Sequence, residues 1–165
     1  MTIFFGLGSN LGDRLQNLRN ALNMLATLGK IEAVSNVYQT PPWGGVPQPD
    51  YLNACVKITP HKDFTPLELL QTVKAFEVEL GRVPSVRWGE RLIDIDILLI
   101  DDMVYHSPEL DIPHVMMPAR LFVLVPLRDI LPEEWRHPVN GKSISEMIAD
   151  LHGEDMPVLF SGNLR

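Results

Sequence analysis

Apolar positions along this chain switch between a spacing of two and a spacing near roughly 3.6, the repeats of strand and helix. Residues 2 to 8 (TIFFGLG) form an apolar run that ends in a glycine turn and predict a strand. Leu15, Leu18, Leu22, Leu25 and Leu28 then recur at helical spacing. Asp13 is placed to cap that helix, Gln16 holds the capping-box position, and Gly29 stops the run. Residues 31 to 39 predict a second strand and 51 to 59 a third. Between them, TPPWGGVPQPD at 40 to 50 carries four prolines and two glycines, too many for regular structure. Thr65, Pro66 and Glu68 open a second helix with Leu69, Leu70, Val73 and Leu80 on its apolar side, and Gly81 ends it. A charged loop at 82 to 91 leads into a fourth strand at 92 to 100.

The order β-α-β-β-α-β predicts an α+β fold with a ferredoxin-like core, an antiparallel sheet with helices packed on it. Residues 102 to 165 are rich in proline and predict short strands and helices appended to that core. A length of 165 residues suits a single domain over residues 1–165.

Composition narrows the function classes. Hydrophobic residues make up 45%, which argues against disorder. The one cysteine, Cys55, lies in an apolar strand and reads as a small core residue. It cannot form an internal disulfide, so a reducing compartment is expected. The N-terminus carries no basic region or long apolar run, and the apolar stretch from Ile93 to Ile100 is broken by aspartates and too short for a bilayer. The expectation is a cytoplasmic monomer with no membrane partner. A net charge of −7 argues against a nucleic-acid partner. Arg82, Arg87 and Arg91 nevertheless form a local basic cluster that suits a small polyanion such as a nucleotide.

The densest chemistry lies in RLIDIDILL, residues 91 to 99. Strand alternation puts Ile93, Ile95, Ile97 and Leu99 on one face and Asp94 and Asp96 on the other. The two aspartates would have Cα atoms roughly 6.5–7 Å apart, close enough to converge on one ion or two adjacent ions. Aspartate is a poor strand former, so the pair asks for a reason, and Mg²⁺ shared with phosphate oxygens supplies one. Arg91 enters the same site three residues earlier, and the loop before it can hold phosphate. Glu77 falls near an apolar helix stripe, where a carboxylate is either paired or at a site edge. His114 and Arg120 sit in a proline-defined stretch suited to phosphate contact, and Tyr51 and Phe122 can pack in a core or stack on a flat heterocycle. Two glycine motifs carry little. GLGSNLG at 6 to 12 misses a dinucleotide fingerprint by one residue, and NGKS at 140 to 143 lacks the first glycine of a phosphate loop.

Five motifs occur in order: GSN at 8–10, YQTPP at 38–42, PDYLN at 49–53, RWGERLIDIDIL at 87–98, and IPH with RLF at 112–122. Together they resemble the 6-hydroxymethyl-7,8-dihydropterin pyrophosphokinases of folate biosynthesis, over about residues 1 to 135. The resemblance implies that ATP and the hydroxymethyl dihydropterin are the substrates and that AMP is released. It implies two Mg²⁺ ions on Asp94 and Asp96, with Arg82 and Arg91 on the phosphates. Lys74, Glu77, Arg87, Trp88, Ile97, His114 and Arg120 would form the ATP site. Thr40, Pro41, Pro42, Trp43, Tyr51, Asn53 and Phe122 would hold the pterin, which lies between the two aromatic rings. Pro84, Ser85 and Val86 stand where that family often carries basic residues, and Lys74 where a neutral amide is common.

Overall fold

Strand β1 (Ile3–Ser9) is buried along its whole length, because it lies between two antiparallel neighbours in the sheet and has packing on both faces. In this computed structural model residues 1–42, 47–81 and 91–165 are described. After β1 come helix α1 (Arg14–Leu25), strands β2 (Gly29–Val34), β3 (Tyr38–Thr40) and β4 (Tyr51–Pro60), helix α2 (Pro66–Glu79) and strand β5 (Asp94–Ile100). A small hairpin, β6 (Tyr105–His106) and β7 (Asp111–Ile112), is followed by helices α3 (Leu121–Arg128) and α4 (Ile144–Asp150) and by strand β8 (Val158–Leu159). The main sheet runs β5-β1-β4-β3-β8, with β2 also on β4, and its paired strands are antiparallel. This is the ferredoxin-like α+β arrangement that the element order predicts.

The helix caps form largely as the sequence dictates. Asp13 accepts from the Gln16 backbone N–H at 3.1 Å, but the Gln16 side chain turns to Asn20 and leaves the capping box half made. Thr65 and Glu68 make the complete box with Pro66 in the first turn. NGKS is no phosphate loop: Ser143 caps α4, with Glu146 completing its box. The predicted second strand is two strands, because the Ser35 hydroxyl takes the Cys55 N–H at 2.8 Å and interrupts the ladder between β2 and β3.

The sheet carries helices on both faces. Ile3, Phe5 and Leu7 of β1 face α1 and α2 in the larger core, with Val56, Ile58, Ile95 and Ile97 beside them. Phe4, Cys55, Leu98 and Leu99 face the other way, against α3 and α4. Leu99 therefore departs from the expected face. The β1–β5 register jumps from Phe5 opposite Ile97 to Phe4 opposite Leu99, so Leu98 is an extra residue in a β-bulge that reverses the alternation beyond it. Helices α3 and α4 cover only part of this second face. The uncovered part holds the glycines of β1 and the aspartates of β5.

Candidate functional site

Gly6 and Gly8 make the floor. Gly8 pairs with Asn53 of β4 and Asp94 of β5, and Gly6 with Cys55 and Asp96. Cross-strand partners share a face, so β1 forms a side-chain-free trough with an amide on one bank and two carboxylates on the other. A Cβ on Gly8 would lie 2.9 Å from Asn53 Oδ1 and 3.5 Å from the Tyr51 ring. The GLG motif, a failed nucleotide fingerprint by sequence, is thus a strand whose glycines allow close approach of a flat ligand.

Above this floor is a narrow cavity of ≈ 100 Å³. Thr40, Pro41, Tyr51, Asn53, Phe122 and Val123 line it, with Asp94, Asp96 and Arg120 at one end. Asn53 is buried, and its Nδ2 donates to Thr40 Oγ1 at 2.7 Å, which fixes the direction of its carbonyl oxygen. Phe122 enters from the first turn of α3, and the Arg120 guanidinium lies 5.5 Å from its ring centroid. Cys55 also borders the cavity, but burial, with Asp129 and Asp96 adding to it, pushes its thiol well above the ordinary value. It is a packing residue. Pro42 lines an adjoining cavity that it shares with Thr40, Pro41 and Phe122.

A wider, more polar cavity of ≈ 360 Å³ lies along the outer edge of β5. Lys74, Glu77, Arg91, Glu109, His114 and Arg120 contribute to it, and α2 supplies its apolar side through Leu70 and Val73. Glu77 is buried, and its Oε2 accepts from the Ile95 N–H at 2.9 Å. Its carboxylate therefore ties α2 to the sheet edge. Ile97 also borders this cavity, and its side chain joins the larger core. By the period of two its peptide groups share the outward direction of those of Ile95, so Ile97 presents backbone to the cavity.

His114 is held by its own backbone N–H, which donates to the Leu98 carbonyl at 2.9 Å. Its Nδ1 accepts from the Met116 N–H at 3.2 Å, which leaves the neutral ring's proton on Nε2. Burial, assisted by Arg120, lowers its pKa to about 4. Burial also lowers the pKa of Arg120, while Asp96 and Asp94 act to hold its charge.

Both cavities are lined by Tyr51, Asp94, Asp96 and Arg120, so they meet at the carboxylate pair. Arg91 Nε lies 4.0 Å from Asp94 Oδ1. Among the described residues no three of His, Cys, Asp and Glu gather as a metal cage. Two carboxylates with room for phosphate and water oxygens suit Mg²⁺, which rarely takes an all-protein shell. Arg82, Arg87, Trp88 and Trp43 lie outside the described residues.

Asn10, which ends the GSN motif, braces two segments that lead into the site, a role that sequence reasoning passed over. It is buried, and its Nδ2 donates to Gln48 Oε1 at 2.8 Å and to the Pro49 carbonyl at 3.0 Å. Its Oδ1 accepts from the Arg91 N–H at 2.8 Å, and its own N–H donates to the Arg91 carbonyl at 3.1 Å. One carboxamide thus joins the segment before β4 to the segment before β5. The available signal was a small polar residue directly after a buried strand.

Comparison with known proteins agrees with this geometry. The family model described as 7,8-dihydro-6-hydroxymethylpterin-pyrophosphokinase (HPPK) matches residues 4–132. A 2-amino-4-hydroxy-6-hydroxymethyldihydropteridine pyrophosphokinase from Synechocystis sp. is 41% identical over 145 residues, covering 87% of this chain and 72% of the relative. One of the same name from Aquifex aeolicus is 39% identical, covering 88% of this chain and 89% of its own. Among solved structures, a Plasmodium falciparum HPPK-DHPS wild-type chain with pteroate matches with a TM-score of 0.73 and 20% identity. That match covers 90% of this chain and 42% of the Plasmodium chain, so this protein spans less than half of it and the likeness concerns the fold.

Proposed function

The chain belongs to the 7,8-dihydro-6-hydroxymethylpterin-pyrophosphokinase family, an ATP-dependent diphosphotransferase family of folate biosynthesis, and we propose how its two cavities divide the reaction. The narrow cavity takes the pterin of 6-hydroxymethyl-7,8-dihydropterin. Its ring lies on the Gly6–Gly8 floor between Tyr51 and Phe122, with the oriented Asn53 amide and groups of Thr40 and Pro41 on its polar edge. The wide cavity takes ATP. The adenine lies toward Lys74, Leu70 and the Ile97 backbone, and the triphosphate runs toward Arg91, His114 and Arg120. Glu77 acts by positioning the β5 edge rather than by touching nucleotide.

The hydroxymethyl oxygen then lies at the shared boundary. It attacks the β-phosphorus, the bond from that phosphorus to the α-phosphate oxygen breaks, AMP leaves, and the hydroxyl proton passes to water. Arg91 and Arg120 align the phosphates and oppose their charge, while Tyr51 and Phe122 restrict the pterin to an in-line pose. Asp94 and Asp96 would hold two Mg²⁺ ions with phosphate and water oxygens, and the ions would neutralise the triphosphate and favour charge on the leaving oxygen. Arg82 supplies a further phosphate contact, and Arg87 and Trp88 complete the ATP site as Trp43 does the pterin site.

The observation that carries this reading is the meeting of a flat, apolar cavity and a charged one at a single carboxylate pair. The proposal is of a monomeric, cytoplasmic single-domain enzyme whose partners are the two small substrates, without nucleic acid or membrane. No helix among the described residues is long and apolar enough to cross a membrane. Incubation with ATP, Mg²⁺ and the hydroxymethyl dihydropterin should release AMP in step with pterin diphosphate. Release of ADP would overturn the assignment.

A further inference from the structure

The end of the chain, residues 153–165, runs past the narrow cavity without lining it. Strand β8 pairs with β3, Val158 opposite Gln39 and Leu159 opposite Tyr38. The Phe160 N–H then donates to the Val37 carbonyl at 2.9 Å. Val158 is 67% exposed and Leu159 62%, so β8 contributes its backbone to the sheet and little buried surface. What it gains is a second strand partner for β3, a three-residue strand that among the described residues pairs otherwise with β4 and is tied to Asp129 through the Tyr38 hydroxyl. Thr40, which orients Asn53, is the last residue of β3.

The same arm reaches the other end of the 41–49 connection. Arg14 donates from a terminal guanidinium nitrogen to the Asp50 carbonyl at 3.0 Å, and its guanidinium lies 5.9 Å from the Phe160 ring centroid. The Asp50 carboxylate accepts from Gln39 Nε2 at 3.2 Å. Asp50 directly precedes Tyr51. Both ends of the connection therefore rest on the arm, Thr40 through its neighbours Tyr38 and Gln39 on β8 and Asp50 through Arg14 on Phe160. The arm is itself anchored by Leu164, buried in the larger core, and by Arg19, which donates to the Asn163 carbonyl at 2.7 and 3.0 Å.

We infer that this C-terminal arm is a positioning element for the pterin, with Arg14 and Phe160 as the residues that transmit its placement to Thr40 and Tyr51. The inference rests on assigning the narrow cavity to the pterin. An arm that only protected the sheet edge would affect overall stability and both substrates alike. A positioning arm acts on one substrate.

The test uses the full chain with Arg14→Met and Phe160→Ala, singly and together. Each single change should raise the KM for the dihydropterin about five- to tenfold, the loss of one charge-assisted contact. The KM for MgATP should stay within about twofold, and the double variant should be no worse than the poorer single one because the two act in series. Amide exchange at Thr40 and Tyr51 should quicken while β1 stays protected. An unchanged pterin KM, equal rises for both substrates, or additive effects would overturn the inference. Tyr51→Ala serves as the separate check on the cavity. If it leaves the pterin KM unchanged, the cavity assignment itself fails, and the inference with it.

Discussion

The two cavities are built on opposite principles. The narrow one rests on the face of the sheet, where strand pleat and cross-strand register place Gly8, Asn53, Asp94 and Asp96 side by side. Its shape is set by backbone, which cannot relax much when a side chain changes. The wide one lies at the edge of the sheet, where Lys74 and Glu77 of α2, Arg91 before β5, and Glu109, His114 and Arg120 contribute long polar side chains. A rigid slot suits a planar ring that must present one oxygen in one direction. A wall of flexible cations suits a triphosphate whose charge matters more than its outline. Damage on the face should therefore be abrupt and confined to one substrate, and damage on the edge should be graded.

The largest effect belongs to the boundary between them. Asp96→Ala should lower kcat on the order of 10³-fold, since several kcal/mol of charge stabilisation are lost, while calorimetry still detects pterin binding. A rate within tenfold of the parent would remove the metal role. Next comes the floor. Gly8→Ala drives a methyl toward Asn53 Oδ1, and overpacking of about 1–3 kcal/mol should weaken pterin affinity roughly ten- to a hundredfold with MgATP binding unaltered. Matching losses for both ligands would mean that the cavities are not separate.

Asn10→Ala tests the opposite expectation. It strips the Arg91 N–H and the Gln48 and Pro49 acceptors of one shared partner, so the KM values for both substrates should rise, each by about tenfold. A change in one alone would show that the two segments act independently.

The smallest effect is expected at His114, within the graded edge. Its folded pKa of about 4 lies below the unfolded value of 6.5. Between those values the unfolded chain binds a proton that the folded chain does not, so stability falls as pH drops from about 6.5 to about 4 and gains no further loss from this group below that. In His114→Gln, melting temperatures across this window should lose part of their slope, and activity at pH 8 should fall only severalfold, as one neutral donor is worth about 1 kcal/mol. An unaltered slope would place the ring in water.

What could be read in advance follows the same division. The element order and the Asp94–Asp96 pair were legible because period-two and helical spacing are local properties of the chain. His114, Arg120 and Tyr51 stand out from their local sequence and Lys74 through the resemblance alone, and all four line one or both cavities. The glycine floor was discounted because the motif was compared with a turn, whereas its meaning lies in what pairs on either side of β1. The Leu98 bulge, the Ser35 interruption and the carboxamide of Asn10 depend on partners 20 or more residues away, which no spacing rule supplies. Ile97 borders the wide cavity while its side chain joins the larger core, a division that depends on the sheet's edge and not on local spacing.

The exposed margin of β5 has one more consequence. A bare strand margin invites a strand from another molecule, a frequent origin of aggregation. Here the Glu77 carboxylate occupies the Ile95 amide and the His114 amide occupies the Leu98 carbonyl, leaving among the described residues about one peptide's width at Ile97 between two plugs. That gap is too short to seat a foreign strand and wide enough for the edge of a heterocycle. In the proposed pose of ATP the same few atoms meet the adenine and keep neighbouring chains apart, and saturation with nucleotide should raise the concentration at which the protein stays in solution.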